Sequence, residues 1–432
     1  MAKRFAGRAG RGPLGHSSGA KLLIGAVALT ALGACSSAGG SSSSASAPAG
    51  SSPAGGSSSS ASTVGSAYMQ QSQQLLDKAQ TAAVTGQSFG TVAATDIVPW
   101  KSSDIPAPTA PPSKPLKVAV AYGIPSGYVP YAAHLIKAIG TKLGWSVSIF
   151  PASSPTQPAE LAAMQQALLG KPNAIISVVI PAVWVGPALT AAKAAGIYTV
   201  DIHQDSTDGT GYSAVVPSAE GVQKALLAAW AVTHTNAKSD TMLVDAPGFS
   251  DVNVGAAQSY LQACGGCTTL TQQFNPTSFT DPTQIQSNAS SALSAHPSVN
   301  YVIWPTGGLP LTPVLDGISA SPDSGAQLLV DDASPEDVQL LSEGKLPMVV
   351  EGPGAILVLE AIDDINRLEA GQQALAETSL RIPISYWTKS QAPAPTFPAI
   401  TKAQLQGNDW LSPFATAWHV PQLESVILGV AS

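Results

Sequence analysis

From Lys117 onward the apolar and polar positions of the chain alternate between two periods. Short, nearly continuous apolar runs at 117–121 (KVAVA), 146–150 (SVSIF), 174–179 (AIISVV) and 197–202 (IYTVDI) read as strands. Between them, amphipathic stretches at about 131–143, 159–169 and 186–195 read as helices. After Gly209-Thr210-Gly211 the series starts again: a helix over 220–231, a strand at 241–245, a helix ending near Ala263, a strand at 268–274 and a helix around 283–293. Further strands follow at 301–304, 327–330 and 348–351. Apolar strands without internal alternation are buried on both faces, so the pattern predicts parallel sheets covered by helices. Two such series predict an α/β protein of two doubly wound parallel-sheet lobes.

Upstream of Lys117 the pattern is different in kind. Lys3, Arg4, Arg8, Arg11 and Lys21 precede an apolar run from Leu22 to Leu32, too short for a stable membrane span and suited to the core of a signal peptide. It ends in Leu32-Gly33-Ala34-Cys35, which resembles the lipobox of bacterial lipoproteins; the resemblance implies cleavage before Cys35, lipidation of its thiol and a place on the outer face of the cell membrane. Residues 36–66 are almost wholly Ser, Ala, Gly and Pro, which cannot bury enough apolar surface to offset the entropy of ordering. A flexible tether with a reach on the order of 30 Å is expected there. Tyr68, Met69, Leu75, Leu76, Ala79 and Ala83 then place an apolar stripe on one helix face, and Pro106, Pro108, Pro111, Pro112 and Pro115 mark an extended connector.

Charge narrows the function. Without the five basic leader residues the chain carries 15 Lys and Arg against 27 Asp and Glu, which leaves no basic face for nucleic acid. Once Cys35 is assigned to lipid, the remaining cysteines are Cys264-Gly265-Gly266-Cys267, a spacing open to a redox motif, half a zinc site or a local disulfide. The pair follows a helix and precedes a strand, the reverse of a thioredoxin arrangement, and no second pair or histidine cluster completes a metal site. In an exported chain this reads as a structural disulfide. No nucleophile elbow, Walker loop, H-E-x-x-H or helix-opening G-x-G-x-x-G is present, so neither cofactor nor catalysis is expected.

In open parallel sheets, ligands collect beyond the carboxyl ends of the strands. Those positions hold Tyr122, Tyr128, Tyr131, Trp184, His203, Gln204, Phe249, Asn253, Trp304, Thr306, Asp332 and Glu351. Aromatic faces beside a few acids and amides are the chemistry of a carbohydrate site. Trp184 reads as packing; the other ten, Tyr131 aside, are the candidate ligand residues. Trp304 and Phe249 equally suit a lobe core.

The run 173–176 (NAII), the stretch 187–197 (PALTAAKAAGI), Asp332-Ala333-Ser334-Pro335 and Val350-Glu351-Gly352-Pro353 together resemble the periplasmic sugar-binding proteins of the ribose-binding type. The likeness covers roughly Lys117 to Lys402. It implies a type I periplasmic-binding-protein fold whose lobes are joined by three hinge crossovers, near 215–218, at 351–352 and in a strand around 399–402. The implied organisation is a leader over 1–34, a tether over 35–66, a helix and connector over 67–115, a first lobe from 116–217 with 352–398, and a second from 218–351 with 399–432. The implied role is that of a monomeric ABC-importer receptor, closing on a small polar ligand and delivering it to a permease. A lipoprotein that reports its ligand to a membrane sensor, and an exported enzyme on the same fold, are the alternatives. His203 and Gln204 stand where the family has Asp and Arg, and Glu351 where it usually has Gln, so the common pentoses and hexoses are not assured ligands.

Overall fold

Burial of apolar strands on both faces sets the architecture. The computed structural model describes residues 58–80, 82–85, 97–99, 101–124, 126–202, 211–245, 251–321, 323–352, 354–376, 381–406 and 409–430. The leader, Cys35, His203, Gln204 and Phe249 lie outside the described residues, as does the tether up to residue 57. Asn253 is described in its backbone alone.

The amino-terminal extension builds α1 (Ser58–Ala79), β1 (Ala82–Thr85) and β2 (Ile97–Pro99). Helix α1 begins at Ser58, inside the stretch expected to be tether, and Ala83, expected on its apolar stripe, lies in β1. The helix buries Tyr68, Ser72, Leu75, Leu76 and Ala79, one face at helical spacing.

The first lobe follows as β3 (Lys117–Tyr122), α2 (Tyr128–Lys142), β4 (Ser146–Pro151), α3 (Gln157–Leu169), β5 (Ala174–Val178), α4 (Ala182–Ala194), β6 (Tyr198–Ile202) and β7 (Ala214–Val216). Its sheet runs β4-β3-β5-β6-β7, parallel throughout. Central β5 is buried at every position, whereas edge strand β4 is exposed at Ser146, Ser148 and Pro151. The second lobe comprises α5 (Glu220–His234), β8 (Asp240–Asp245), α6 (Asp251–Ala263), β9 (Thr268–Gln273), α7 (Pro282–Ala295), β10 (Tyr301–Ile303), α8 (Thr312–Ser319), β11 (Gln327–Leu329) and α9 (Pro335–Glu343). Its parallel sheet has the order β11-β10-β8-β9. Both sheets follow the doubly wound order in which the second strand lies outside the first.

Strand β12 (Val349–Glu351) returns the chain to α10 (Gly354–Glu369), which packs on α2, β6 and β7 of the first lobe. The next strands are β13 (Arg381–Pro383), paired with β1, and β14 (Ser385–Trp387), antiparallel to β12. The expected third crossover strand at 399–402 is instead part of a helix, α11 (Phe397–Leu405), followed by α12 (Ser412–Ala417) and α13 (Leu423–Leu428). Thr396 explains the difference: its side chain caps the helix by accepting from the Ala399 amide at 3.3 Å, and Pro398 fits the first turn.

The carboxyl-terminal stretch, expected with the second lobe, packs through α13 on α2 of the first. Helix α11 reaches both lobes, Phe397 joining the core that contains α2 and Ile400 the core of the second sheet. Helix α1 packs on α5 and α6, where Tyr68 donates to the Tyr260 carbonyl at 2.7 Å. The Pro-rich connector lies along α10. Thr109 donates its amide to Asp363, and Arg367, ion-paired with Asp363 at 2.6 Å, also donates to the Ala107 carbonyl. Cys264 and Cys267 form the expected disulfide in the turn between α6 and β9.

Candidate ligand site between the lobes

The second lobe presents Asp332 to the cleft through a buried polar network. Lys224 of α5 is 2% exposed and pairs with the fully buried Asp331 at 2.7 Å. The same ammonium donates to the carbonyl oxygens of Trp304, at 3.0 Å, and Pro305. One cation thus holds the carboxyl ends of β10 and β11 together. Burial raises the Asp331 carboxyl to about 8, with Lys224 acting in the opposite direction.

The next residue, Asp332, adopts φ 52°, left-handed geometry that aspartate tolerates better than most residues. Its amide donates to Gln223 Oε1 at 3.3 Å, and its carboxylate accepts from Thr306 Oγ1 at 3.1 Å. Ser334 and Asp337 then form a capping box that starts α9 immediately after the turn. Asp332 is therefore fixed in backbone and side chain before any ligand arrives.

Glu351, at the end of hinge strand β12, is 2% exposed. Burial, reinforced by the neighbouring Asp332, raises its carboxyl well above the usual carboxylate range. Asp332 and Glu351 thus set two carboxyl groups side by side, and the raised proton affinity of Glu351 favours it as the donor of the pair to a hydroxyl.

The first lobe closes over them with the start of α2. Tyr128 lays its ring against the Cα of Gly354 and donates its hydroxyl to the Gly354 carbonyl at 2.6 Å. Ser126 Oγ donates to the Gly308 carbonyl at 3.0 Å, bridging the lobes. Beside it, Gly127 and Gly308 approach so closely that a Cβ on Gly127 would stand 2.5 Å from the Gly308 Cα. Both have positive φ, so this closed contact requires glycine on each side.

Tyr128, Tyr131, Asp332, Glu351, Thr401 and Gln404 are among the residues that line about 340 Å³ of space, its open mouth included. Among the described residues no Lys, Arg or His lines it. The Tyr131 ring is stacked on Phe397, centroids 4.5 Å apart, so that face is already covered.

The structure separates the expected site residues. Tyr128, Asp332 and Glu351 meet in the cleft, and Thr306 stands behind Asp332 as its hydrogen-bond donor. Tyr122, half-buried at the end of β3, packs on the hydrophobic core and does not line this space. Trp304, for which cleft and lobe core were equal readings, is fully buried in the core of the second lobe, edge-on to Phe274 and Phe279 with centroids 5.8 and 5.4 Å away. Its indole fills the gap between the sheet and these aromatics; only its carbonyl touches the network around Asp332. Trp184 packs beside a first-lobe core, as expected of it.

Phe397, Thr401 and Gln404 were not expected at the cleft. The signal was present in the sequence: a Thr-x-Pro start followed by Phe397, Ile400, Thr401 and Gln404 at helical spacing. A second buried acid also went unmarked. Glu160 of α3 is fully buried, and burial together with Asp201 raises its carboxyl to about 9. It lies against Gly123 beyond the end of β3, outside the described cleft.

A family model described as the periplasmic binding protein domain matches residues 119–372, more than half of the chain and the whole of both parallel sheets except Lys117 and Val118 of β3. The chain belongs to this family. Among solved structures, this periplasmic binding protein resembles the glucose-galactose binding protein GanP of Geobacillus stearothermophilus (15% identity, TM-score 0.57, 64% of this chain and 99% of that one). It also resembles an ABC transporter solute binding protein of Agrobacterium vitis bound to α-D-tagatopyranose (16%, 0.56, 64% and 95%). A third likeness is to a carbohydrate transporter of Acidothermus cellulolyticus in complex with myo-inositol (18%, 0.55, 68% and 99%). Among curated proteins none matches the sequence. The likenesses establish the type I fold. In each comparison about a third of this chain lies outside the match.

Proposed function

We propose that this periplasmic binding protein is a monomeric receptor for a neutral carbohydrate or polyol, which it closes between its lobes and delivers to an ABC permease. The observation that carries the reading is the pairing of Asp332 with the buried Glu351 opposite Tyr128, in a cleft where no described cation would attract an acidic ligand. Such a site suits hydroxyls, which donate to the one carboxyl and accept from the other. The ligands of the structural neighbours define the probes: D-glucose, D-galactose, D-tagatose, D-allose, allitol and myo-inositol.

The test is calorimetric titration of the wild type and Glu351→Gln against this panel across pH. Asp332, Tyr128 and Tyr131 are the titratable side chains that share the lining with Glu351. Because the Glu351 pKa is raised in the fold, its neutral form persists above the usual carboxylate range and is lost as pH rises through the raised value. Wild-type affinity is therefore expected to fall as pH rises through the raised Glu351 value, while Glu351→Gln, always a donor, shows no such fall. A wild type as flat as the variant would remove the neutral-acid role. Absence of binding to every probe would overturn the carbohydrate reading.

The receptor is further proposed to be held on the outer face of the cell membrane by lipid on Cys35, a thiol placed between an apolar run and a Ser/Gly/Ala-rich stretch. Cys35→Ser is expected to move the protein from the membrane fraction to the soluble fraction. A variant still found with membranes would rule the anchor out.

A further inference from the structure

We infer that helix α11, which follows the α/β lobes, is a ligand-reading element of the cleft, with Gln404 its specificity-determining residue. The inference rests on the proposed carbohydrate function and adds to it a third recognition wall besides the two lobes. Three observations carry it. Phe397, Ile400, Thr401 and Gln404, spaced along one face of α11, line the same space as Asp332 and Glu351. Phe397 stacks on Tyr131, and the Thr401 hydroxyl lies 3.4 Å from that of Tyr131, so the helix is seated against the first lobe at the cleft itself. Finally, the Gln404 side chain is half satisfied. Its Nε2 donates to the Gly352 carbonyl at 3.3 Å, while its Oε1 is buried without a hydrogen-bond partner in the protein.

The amide cannot be turned round to relieve this, because a flip would set Oε1 against the Gly352 carbonyl oxygen. Gly352 directly follows Glu351 on the hinge, so the anchored end of the amide sits beside the acid pair. An acceptor oxygen buried there without a donor costs stability unless something donates to it. A ligand hydroxyl in contact with Asp332 and Glu351 is a donor of the right kind. Gln404 then selects a hydroxyl where a ligand lacking one would leave Oε1 unpaired, the form of discrimination with the greatest leverage. The chemical class is a neutral polyhydroxyl compound that presents a donor toward α11 as well as to the acid pair.

The test uses the full mature chain, the same panel of sugars and polyols, and the variants Gln404→Met, which keeps the volume without the amide, and Gln404→Asn, whose shorter amide does not reach. Melting without ligand checks the fold of each. The expected result is that a panel compound binds the wild type, that both folded variants bind it at least tenfold more weakly, and that binding slows amide hydrogen exchange in residues 399–406. Unchanged affinity in a folded variant would overturn the role of Gln404 and leave the carbohydrate receptor standing. A wild type that binds no member of the panel would overturn both. If Gln404→Met does not fold, Gln404→Asn and the exchange measurement decide, and unprotected α11 amides in the bound wild type would count against the inference.

Discussion

Asp332→Asn is expected to weaken ligand binding by roughly ten- to a hundredfold while the protein remains folded. Hydrogen bonds to a charged group contribute about 1.5–3 kcal/mol, and the substitution removes the charge while keeping the shape. Asparagine is chosen over alanine because residue 332 has φ 52°. Alanine there would add about 1–2 kcal/mol of backbone strain to whatever the ligand loses, whereas asparagine tolerates the left-handed region. Asp332→Ala is therefore expected to bind as weakly or more weakly and also to melt earlier without ligand. Titration calorimetry and ligand-free melting of the two variants separate these effects. Wild-type affinity in a folded Asp332→Asn would place the ligand away from the carboxyl ends of the second sheet.

Much of this arrangement could be read from the chain before its structure. The central strands β3, β5, β6, β8 and β10 announce themselves as apolar runs, because burial on both faces leaves few polar positions to blur the signal, whereas the edge strand β9 (TTLTQQ) carries a single apolar residue. Asp332 and Glu351 could be placed in the cleft because residues at strand ends face it in any doubly wound sheet. Trp304 shows where that rule stops. It sits one residue beyond β10, but its side chain turns back into the lobe, where Phe274 and Phe279 leave room for an indole. Strand position fixes where a backbone ends; the facing of a large ring there depends on packing partners distant in sequence.

Helix α11 differs from the expected third crossover strand for another reason. Its local signals, Thr396, Pro398 and the spacing of Phe397, Ile400 and Gln404, are those of a helix. The crossover partner of β12 is β14, only three residues long, and pairings that short leave almost no periodicity to read. The same limit applies to β1, β2 and β13, whose antiparallel sheet joins segments nearly three hundred residues apart.

The network behind the site is expected to matter most for stability. Lys224→Met should cost about 3–5 kcal/mol, the usual range for removing one partner of a buried ion pair. Three acceptors depend on one ammonium, the Asp331 carboxyl group and the Trp304 and Pro305 carbonyls, which places the loss toward the upper end of that range. A protonated Asp331 can replace only one of those donations. Lys224→Met with Asp331→Leu removes the stranded acid, and the double variant is expected to be more stable than Lys224→Met alone, although the two carbonyls still lack their donor. Denaturant unfolding of the singles and the double gives the coupling directly. A loss below about 1 kcal/mol in Lys224→Met would show that the strand ends are held by other means. Because Asp331 and Asp332 are adjacent, the same substitution is expected to loosen the left-handed turn that aims the Asp332 carboxylate. Binding should therefore fall in Lys224→Met even under conditions where the chain is fully folded, although Lys224 does not line the cleft.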